Sequence, residues 1–569
     1  MDWRERSSAR KKKQQDQIPK DWIINLPPDS CLNVIDYPLK CGLLTTREIE
    51  ITETVDLDVT LRNLATAEWS SLEVTTAFYK RAIIAHQLTN CLTEIFVDRA
   101  LDRAREVDEY LAVNKKVIGP LHGLPVSLKD QFAMKGLETI MGYVAWIGDY
   151  SQEDSVLVQT LYDLGAVPFV RTNVPQTLMW GETYNHVFGR TSNPYNVFLT
   201  AGGSTGGEGA LVALKGSPIG IGTDIGGSVR IPSTFCGIYT LRPSYERLPY
   251  FGALNALEGQ ESISSVLGPM TNSIEAVKIF TKAIIDAKPW QNDPLVIRKK
   301  WSQGEYELED HGGIGAHLCF AVMWDNGVVQ ALPPLQRAMR IMKAALEAAG
   351  HQVIDWEPHR HLEIYKNAET IFVADGGEDY KTECAKSGEP LITTMRPDGG
   401  DHELPLIKPY AQTLVGKAFS RSAFQLWQLH KEKRALRKSY LDHWQRTVER
   451  TDTGRPVDAI VSPATAYPAP PHGLNTDSFY TTIVNAMDYA TCCIPVTTVD
   501  QELDVPITRE NFYNHEDEAI HLMYKPSLFV DAPVGLQVIG RPQEEEAVIA
   551  MTEIVDRAVK KYKAAVERL

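Results

Sequence analysis

The sequence predicts an α/β fold, a central mixed twisted β-sheet covered by helices on both faces. Two repeats of one grammar carry this expectation. VLVQTLYDLGAVPFVRTN (156–173) and PLQRAMRIMKAALEAAGHQVIDW (334–356) each read as helix, glycine stop and buried strand. Short apolar runs at VDAIVSPA (457–464) and GLQVIGRP (535–542) add further strands.

Taken in order, residues 1–50 read as an N-terminal arm with short elements. Its basic run Arg10–Lys13 reads as a solvated, frayed segment in preference to a nuclear address. The arm lacks the apolar stretch of a secretory signal. Two helices are expected next. Ser70 and Glu73 spell an S-x-x-E capping box, after which Leu72, Phe78, Ile83 and Ile84 follow helical spacing. The second helix, near 98–112, carries Ala100, Leu101, Ala104, Val107 and Leu111. The alternating units follow, and an amphipathic helix at 543–562 closes the chain. Segments 290–315 and 388–410, rich in proline, glycine and charge, read as long surface loops or peripheral elements, not as domain linkers. No internal repeat or composition shift marks a domain boundary.

Composition excludes several classes. The 569 residues carry 73 acidic and 58 basic side chains, a net charge of −15. That balance argues against a protein built to grip nucleic acid or an anionic membrane. The eight cysteines are scattered without a CxxC, so a reducing, cytoplasmic setting is expected. No run of about 18 apolar residues occurs, so no membrane span is expected. HExxH, clustered Cys/His ligands and cofactor fingerprints are missing, and neither metal nor cofactor is expected. The short HRH cluster at 359–361 reads as surface.

The most unusual stretch is AGGSTGGEGALVALKGSPIGIGTDIGGSVRIPS (201–233), with ten glycines, two serines in glycine-rich turns and no histidine. A phosphate cradle needs GxxxxGK[ST] or GxGxxG, and neither spacing is present. Gly202–Gly206 does satisfy GxSxG, the nucleophile elbow, which would make Ser204 the acylated residue. Tight turns alone explain a few glycines, but not so many. A fourth reading uses both Ser204 and Ser228. A hydroxyl is a weak nucleophile until a base takes its proton, and a neutral lysine can serve. GPLHGLPVSLKDQ (119–131) supplies Lys129, at the end of the alternation Leu124, Val126, Leu128. A lone lysine at a strand end is ordinarily solvated.

GLPVSLKD followed by the glycine-rich stretch resembles the amidase signature family. The resemblance extends to TNVPQTLM (172–179), GRTSNP (189–194), GPMTNS (268–273) and PVGLQVIGRP (533–542), and so covers roughly residues 50–560. EDSVL, LRPSYERLPY and SGEP are similar to the fungal acetamidase or general amidase branch. The resemblance implies one amidase-signature domain over 51–569, with its catalytic core at 119–273. It implies amide hydrolysis by a Ser–cis-Ser–Lys triad. Ser228 would be the nucleophile, Ser204 the bridging hydroxyl on a cis peptide with Gly203, and Lys129 the base. The backbone of Ile225, Gly226, Gly227 and Ser228 would form the oxyanion hole. Asp224 and Arg230 would brace the loop. Thr205, in place of the family's second serine, would keep the local hydrogen bond. Thr240 stands where glycine is commoner.

A free lysine titrates near 10.4, so this chemistry needs Lys129 desolvated enough to be neutral. Leu178, Met179 and Trp180 fall where the family lines its acyl pocket. The bulk of Trp180 suggests a short pocket and small carboxamides, acetamide-like, cleaved to carboxylate and ammonia. Met141, Tyr143 and Trp146 are further candidates for that wall, while Cys492 and Cys493 read as core. Larger or aryl amides in a secondary-metabolite pathway, or a non-autonomous amidotransferase-type subunit, are the alternatives. The expected partner is a small-molecule amide, and a homo-oligomer is left open.

Overall fold

The computed structural model describes residues 2–392, 419–476 and 478–566. Eleven strands form one sheet: β1 Leu92–Ile95, β2 Pro125–Lys129, β3 Val167–Thr172, β4 Ile219–Asp224, β5 Tyr239–Arg242, β6 Val266–Thr271, β7 Cys319–Val322, β8 Gln352–Asp355, β9 Ala459–Pro463, β10 Thr491–Thr498 and β11 Pro533–Ile539. Their order is β1-β3-β2-β4-β6-β5-β10-β11-β9-β7-β8. The sheet is mixed. β3, β2 and β4 run parallel, as do β9, β7 and β8, and the antiparallel strands between them join the two blocks.

Helices flank the sheet, and two large apolar clusters fill the space between. One packs helices Ser71–Thr89 and Val97–Asn114 against the first block of strands. The other packs Pro333–Ala348 and Glu545–Val566 against the second. Both repeats of helix and strand form as expected: Val156–Asp163 leads into β3, and Pro333–Ala348 into β8. In each, a left-handed glycine, Gly165 at φ +86° and Gly350 at φ +90°, turns the chain between them. Ser70 caps its helix by accepting from Glu73 N–H at 3.0 Å. Glu73 does not close the reciprocal half of the box; its carboxylate pairs with Arg47 at 3.0 Å.

Two expectations are corrected. The basic run Arg10–Lys13 is not frayed but lies in the helix Trp3–Asp16. Arg10 is buried there, ion-paired with Glu94 and donating to Glu138 at 2.6 Å. Gln14 donates to the carbonyls of Leu92 and Thr93 at 2.6 and 3.0 Å, covering the edge strand β1. This interface is made by polar side chains, so hydrophobic periodicity could not reveal it. The HRH cluster is only partly at the surface: Arg360 is exposed, but His361 is buried against Tyr440, and His359 stacks on His443 at 4.7 Å. Segment 290–315 holds short peripheral elements, the helix Gln303–Tyr306 and a turn of 3₁₀ helix at Glu309–His311. Most of 388–410 lies outside the described residues.

Candidate active site

The site forms where β2 and β4, parallel neighbours, end side by side, the usual place for ligands in such sheets. β2 delivers Lys129 and β4 delivers Thr223 and Asp224. Every residue of β2 is buried, because the sheet is covered here on both faces. Lys129 is therefore not the half-solvated residue of an ordinary strand end; its exposure is 0%. Its Nζ lies 2.7 Å from Ser204 Oγ and 2.8 Å from Thr223 Oγ1.

Ser204 sits in a turn before the helix Gly206–Ala213, and the Gly203–Ser204 peptide is cis. Gly203 is required by close approach. A Cβ there would stand 2.7 Å from the backbone of Glu182 and from the Trp180 carbonyl. Thr205 N–H donates to the Ser228 carbonyl at 3.2 Å, tying the two serine-bearing turns together. The Thr205 hydroxyl donates to the Thr223 carbonyl at 3.3 Å, so the added methyl leaves a local hydrogen bond in place. Thr240 belongs to the sheet, where its hydroxyl donates to the Pro269 carbonyl at 2.7 Å.

The loop from Asp224 to Ser228 is built around a buried ion pair. Arg230 Nε and Nη2 donate to the two Asp224 oxygens at 3.1 and 3.0 Å, and neither residue has exposed surface. Asn485 and the Gly227 N–H donate to Asp224 Oδ1 at 2.8 and 2.9 Å, and Val229 N–H donates to Oδ2 at 3.2 Å. Arg230 also reaches the Thr481 carbonyl at 3.1 Å and Gln537 at 3.2 Å. The backbone at Gly227, φ +134°, suits only glycine. Gly227 N–H is committed to Asp224, whereas those of Ile225, Gly226 and Ser228 make no hydrogen bond among the described residues.

Electrostatics follow from burial. Desolvation brings Lys129 down to about 7, although the charges of Asp224 and Glu208 pull the other way. Burial pushes Glu208 up to about 8, against hydrogen bonds from Ser127 at 2.6 Å and Thr172 at 3.0 Å. Burial also works to raise Asp224, but Arg230, Arg242 and Asn485 outweigh it and hold the carboxyl well below the usual carboxylate range.

Ser228 and Gly203 line a cavity of about 480 Å³, a size typical of small-molecule sites. Leu178, Met179 and Trp180 line it too. Met141 and Tyr143 do not; they pack with Leu178, Val174 and Cys384 into a separate small core, with Trp146 against it. Cys492 and Cys493 are buried in β10. The outer wall comes from three later helices, with Phe372 from His361–Phe372, Phe479 from Phe479–Met487 and Ile520 from His515–Met523.

Several site residues were not anticipated. Thr223 and Gln131 extend the Lys129 network, Glu208 lies beside it, and Asn485 and Gln537 hold the ion pair. Thr223 and Gln131 stood within reach of inference. One adjoins Asp224, and the other is two residues beyond Lys129. The GxSxG elbow is not supported. Its preceding strand, Asn196–Thr200, lies outside the central sheet, in a two-stranded ribbon with Ser192–Asn193, and the basic partner of Ser204 is Lys129.

The Amidase family model matches residues 73–549. An acetamidase of Aspergillus oryzae is 39% identical over 555 residues, covering 98% of each chain. An acetamidase of Emericella nidulans is 39% identical over 556 residues, again covering 98% of each. The solved structure of a fatty acid amide hydrolase superposes with a TM-score of 0.88 at 32% identity, covering 97% of this chain and 94% of that one. Family match, near full-length relatives and shared fold agree: the chain belongs to the amidase signature family and is an amide-hydrolysing enzyme.

Proposed function

We propose that the protein hydrolyses carboxamides through a serine–serine–lysine relay and an acyl-enzyme. The observation that carries this reading is the buried Lys129 amine 2.7 Å from the Ser204 hydroxyl. Lys129, neutral, accepts the Ser204 proton as Ser204 takes that of Ser228. Ser228 Oγ attacks the amide carbonyl, whose oxygen gathers charge facing the N–H groups of Ile225, Gly226 and Ser228. Each such donor contributes about 3–4 kcal/mol to a transition state of this kind. The proton then returns through Ser204 to the departing nitrogen, which leaves as ammonia from a primary amide. Water, deprotonated by the same route, releases the carboxylate and restores Ser228. Asp224 and Arg230 support this by fixing the loop that carries those donors. All eight cysteines are free, in keeping with a reducing, cytoplasmic setting. No helix among the described residues is long and apolar enough to cross a membrane.

Small carboxamides are the first substrate reading, in line with the acetamidases the chain is similar to. The cavity favours a second. Acetamide would occupy a small part of about 480 Å³, and Ile231, Phe372, Phe479 and Ile520 offer apolar wall to a longer or aryl substituent. Steady-state kinetics on amides from acetamide to anilides separates the two. Activity on short amides alone supports the first, and kcat/KM rising with apolar size supports the second. If Ser228→Ala kept most of the activity, the relay itself would be wrong.

A further inference from the structure

The proposed relay needs more than a neutral amine. A neutral lysine carries two N–H bonds and one lone pair, and only the lone pair can accept the Ser204 proton. Something has to set which of them faces Ser204. Lys129 Nζ has two hydrogen-bonding partners, Ser204 Oγ and Thr223 Oγ1. A threonine hydroxyl can donate to an amine lone pair as readily as it accepts from an amine N–H.

The surroundings of Thr223 remove that ambiguity. Its Oγ1 lies 2.6 Å from Gln131 Oε1. The Gln131 amide is itself oriented, because its Nε2 faces the Leu254 carbonyl at 2.8 Å and the Asn255 side-chain oxygen at 3.2 Å. Both need a donor. Tyr250 OH, 3.0 Å from the same nitrogen, is hydrogen-bonded to Asn255 and Ser265, each at 2.9 Å, and also to Thr223. The Gln131 oxygen is thus left to point at Thr223, and an amide oxygen only accepts. The Thr223 proton goes to Gln131, and Thr223 presents a lone pair to Lys129.

We propose that Gln131 is a positioning residue for the amide-cleaving relay: by holding the Thr223 hydroxyl as an acceptor, it engages one Lys129 N–H and turns the amine lone pair to Ser204. This rests on Lys129 being the base. The chain Gln131–Thr223–Lys129–Ser204 is buried, with no member exposed by more than 3%, so water does not substitute for a missing link. The charged groups acting on Lys129 are Asp224 and Glu208, and the Tyr250 phenol, raised to about 12 by burial, stays protonated through the working range.

The test is a double-mutant cycle on the full-length enzyme with a primary amide, reading kcat, KM and the pH at which kcat/KM rises. In Gln131→Met the Thr223 hydroxyl is free to donate to the lone pair, which stabilises the neutral amine and blocks its use. The expected result is a kcat lower by about 10-fold or more, an unchanged KM, and a rise displaced to lower pH by about half a unit. Thr223→Val should shift the rise in the same direction, and Thr223→Ser should keep it where it is. Once Thr223 is valine, adding Gln131→Met should cost nothing further, because Gln131 acts only through that hydroxyl. Independent, multiplicative losses with no displacement of the pH rise would overturn the proposal. If Gln131→Met fails to fold, the Thr223→Val and Thr223→Ser pair decides, and an unmoved rise in Thr223→Val overturns it. Lys129→Met run in parallel separates the two levels. Retained activity there removes the relay itself, whereas an inactive Lys129→Met beside an unaffected Gln131→Met removes only the role of Gln131.

Discussion

The Lys129 amine and the Ser204 hydroxyl meet at 2.7 Å in a place without exposed surface. A charged ammonium is disfavoured there, and desolvation brings Lys129 to about 7. Activity should therefore require the upper side of that value. The kcat/KM profile is expected to rise through about pH 7 and to be lost below it. The same shift has a stability sign. An unfolded lysine titrates near 10.4, so between about 7 and that value the unfolded chain binds more protons, and this residue makes stability increase with pH. A flat pH–rate profile from 5 to 9 would contradict the assignment of Lys129 as base.

Glu208 carries the opposite sign. Burial raises it to about 8, while an unfolded glutamate titrates near 4.3. Its contribution to stability is complete below the unfolded value and is lost as pH rises through about 8. Glu208→Gln keeps a neutral group beside Ser127 and Thr172. Denaturant titrations between pH 5 and 8 should show that the variant loses less stability with rising pH than the parent does. Parallel curves would mean that Glu208 does not titrate in this window.

Asp224 braces the loop ahead of Ser228 through Arg230, Asn485 and two backbone N–H groups. Asp224→Ala leaves the Arg230 charge buried without its partner, at a cost of about 3–5 kcal/mol. The loss should appear in chemical denaturation together with a large fall in kcat. Because Asp224 is held below the usual carboxylate range, the stability it supplies is present above about pH 4 and declines on further acidification. The variant should lack that acid-dependent component.

The cavity wall distinguishes the two substrate readings. Leu362 lines the cavity from its outer helix and is 40% exposed, so a larger side chain there is tolerated by the fold. Leu362→Trp should reduce kcat/KM for a long-chain or aryl amide by about 10-fold, the order expected for losing apolar contacts in a pocket. Acetamide turnover should change far less. Equal losses on both substrates would place the substituent elsewhere.

How much of this was legible in the sequence depends on what each residue pairs with. Lys129 could be placed from the alternation of Leu124, Val126 and Leu128, because strand periodicity is local. Its complete burial could not, since that depends on both faces of β2 being covered by distant segments. The helix Trp3–Asp16 is not legible in the sequence, because Arg10 and Gln14 dock through hydrogen bonds and ion pairs, to which an apolar pattern is blind. Leu178, Met179 and Trp180 also line the cavity, and the family resemblance, not a local pattern, points to them. Phe372, Phe479 and Ile520 close the same cavity from far along the chain, and nothing local marks them. Gly227 shows a further limit. Its glycine signalled an unusual backbone, but only the structure reveals that its N–H turns to Asp224.

The central claim is that the proton leaves Ser228 by way of Ser204 and that Ser228 carries the acyl group. Peptide mapping by mass spectrometry, after labelling the intact enzyme with a fluorophosphonate, tests it most directly. The account predicts one adduct, on Ser228, forming much more slowly in Ser204→Ala and Lys129→Met. An adduct on Ser204, or undiminished labelling of Ser228 in those two variants, would contradict it.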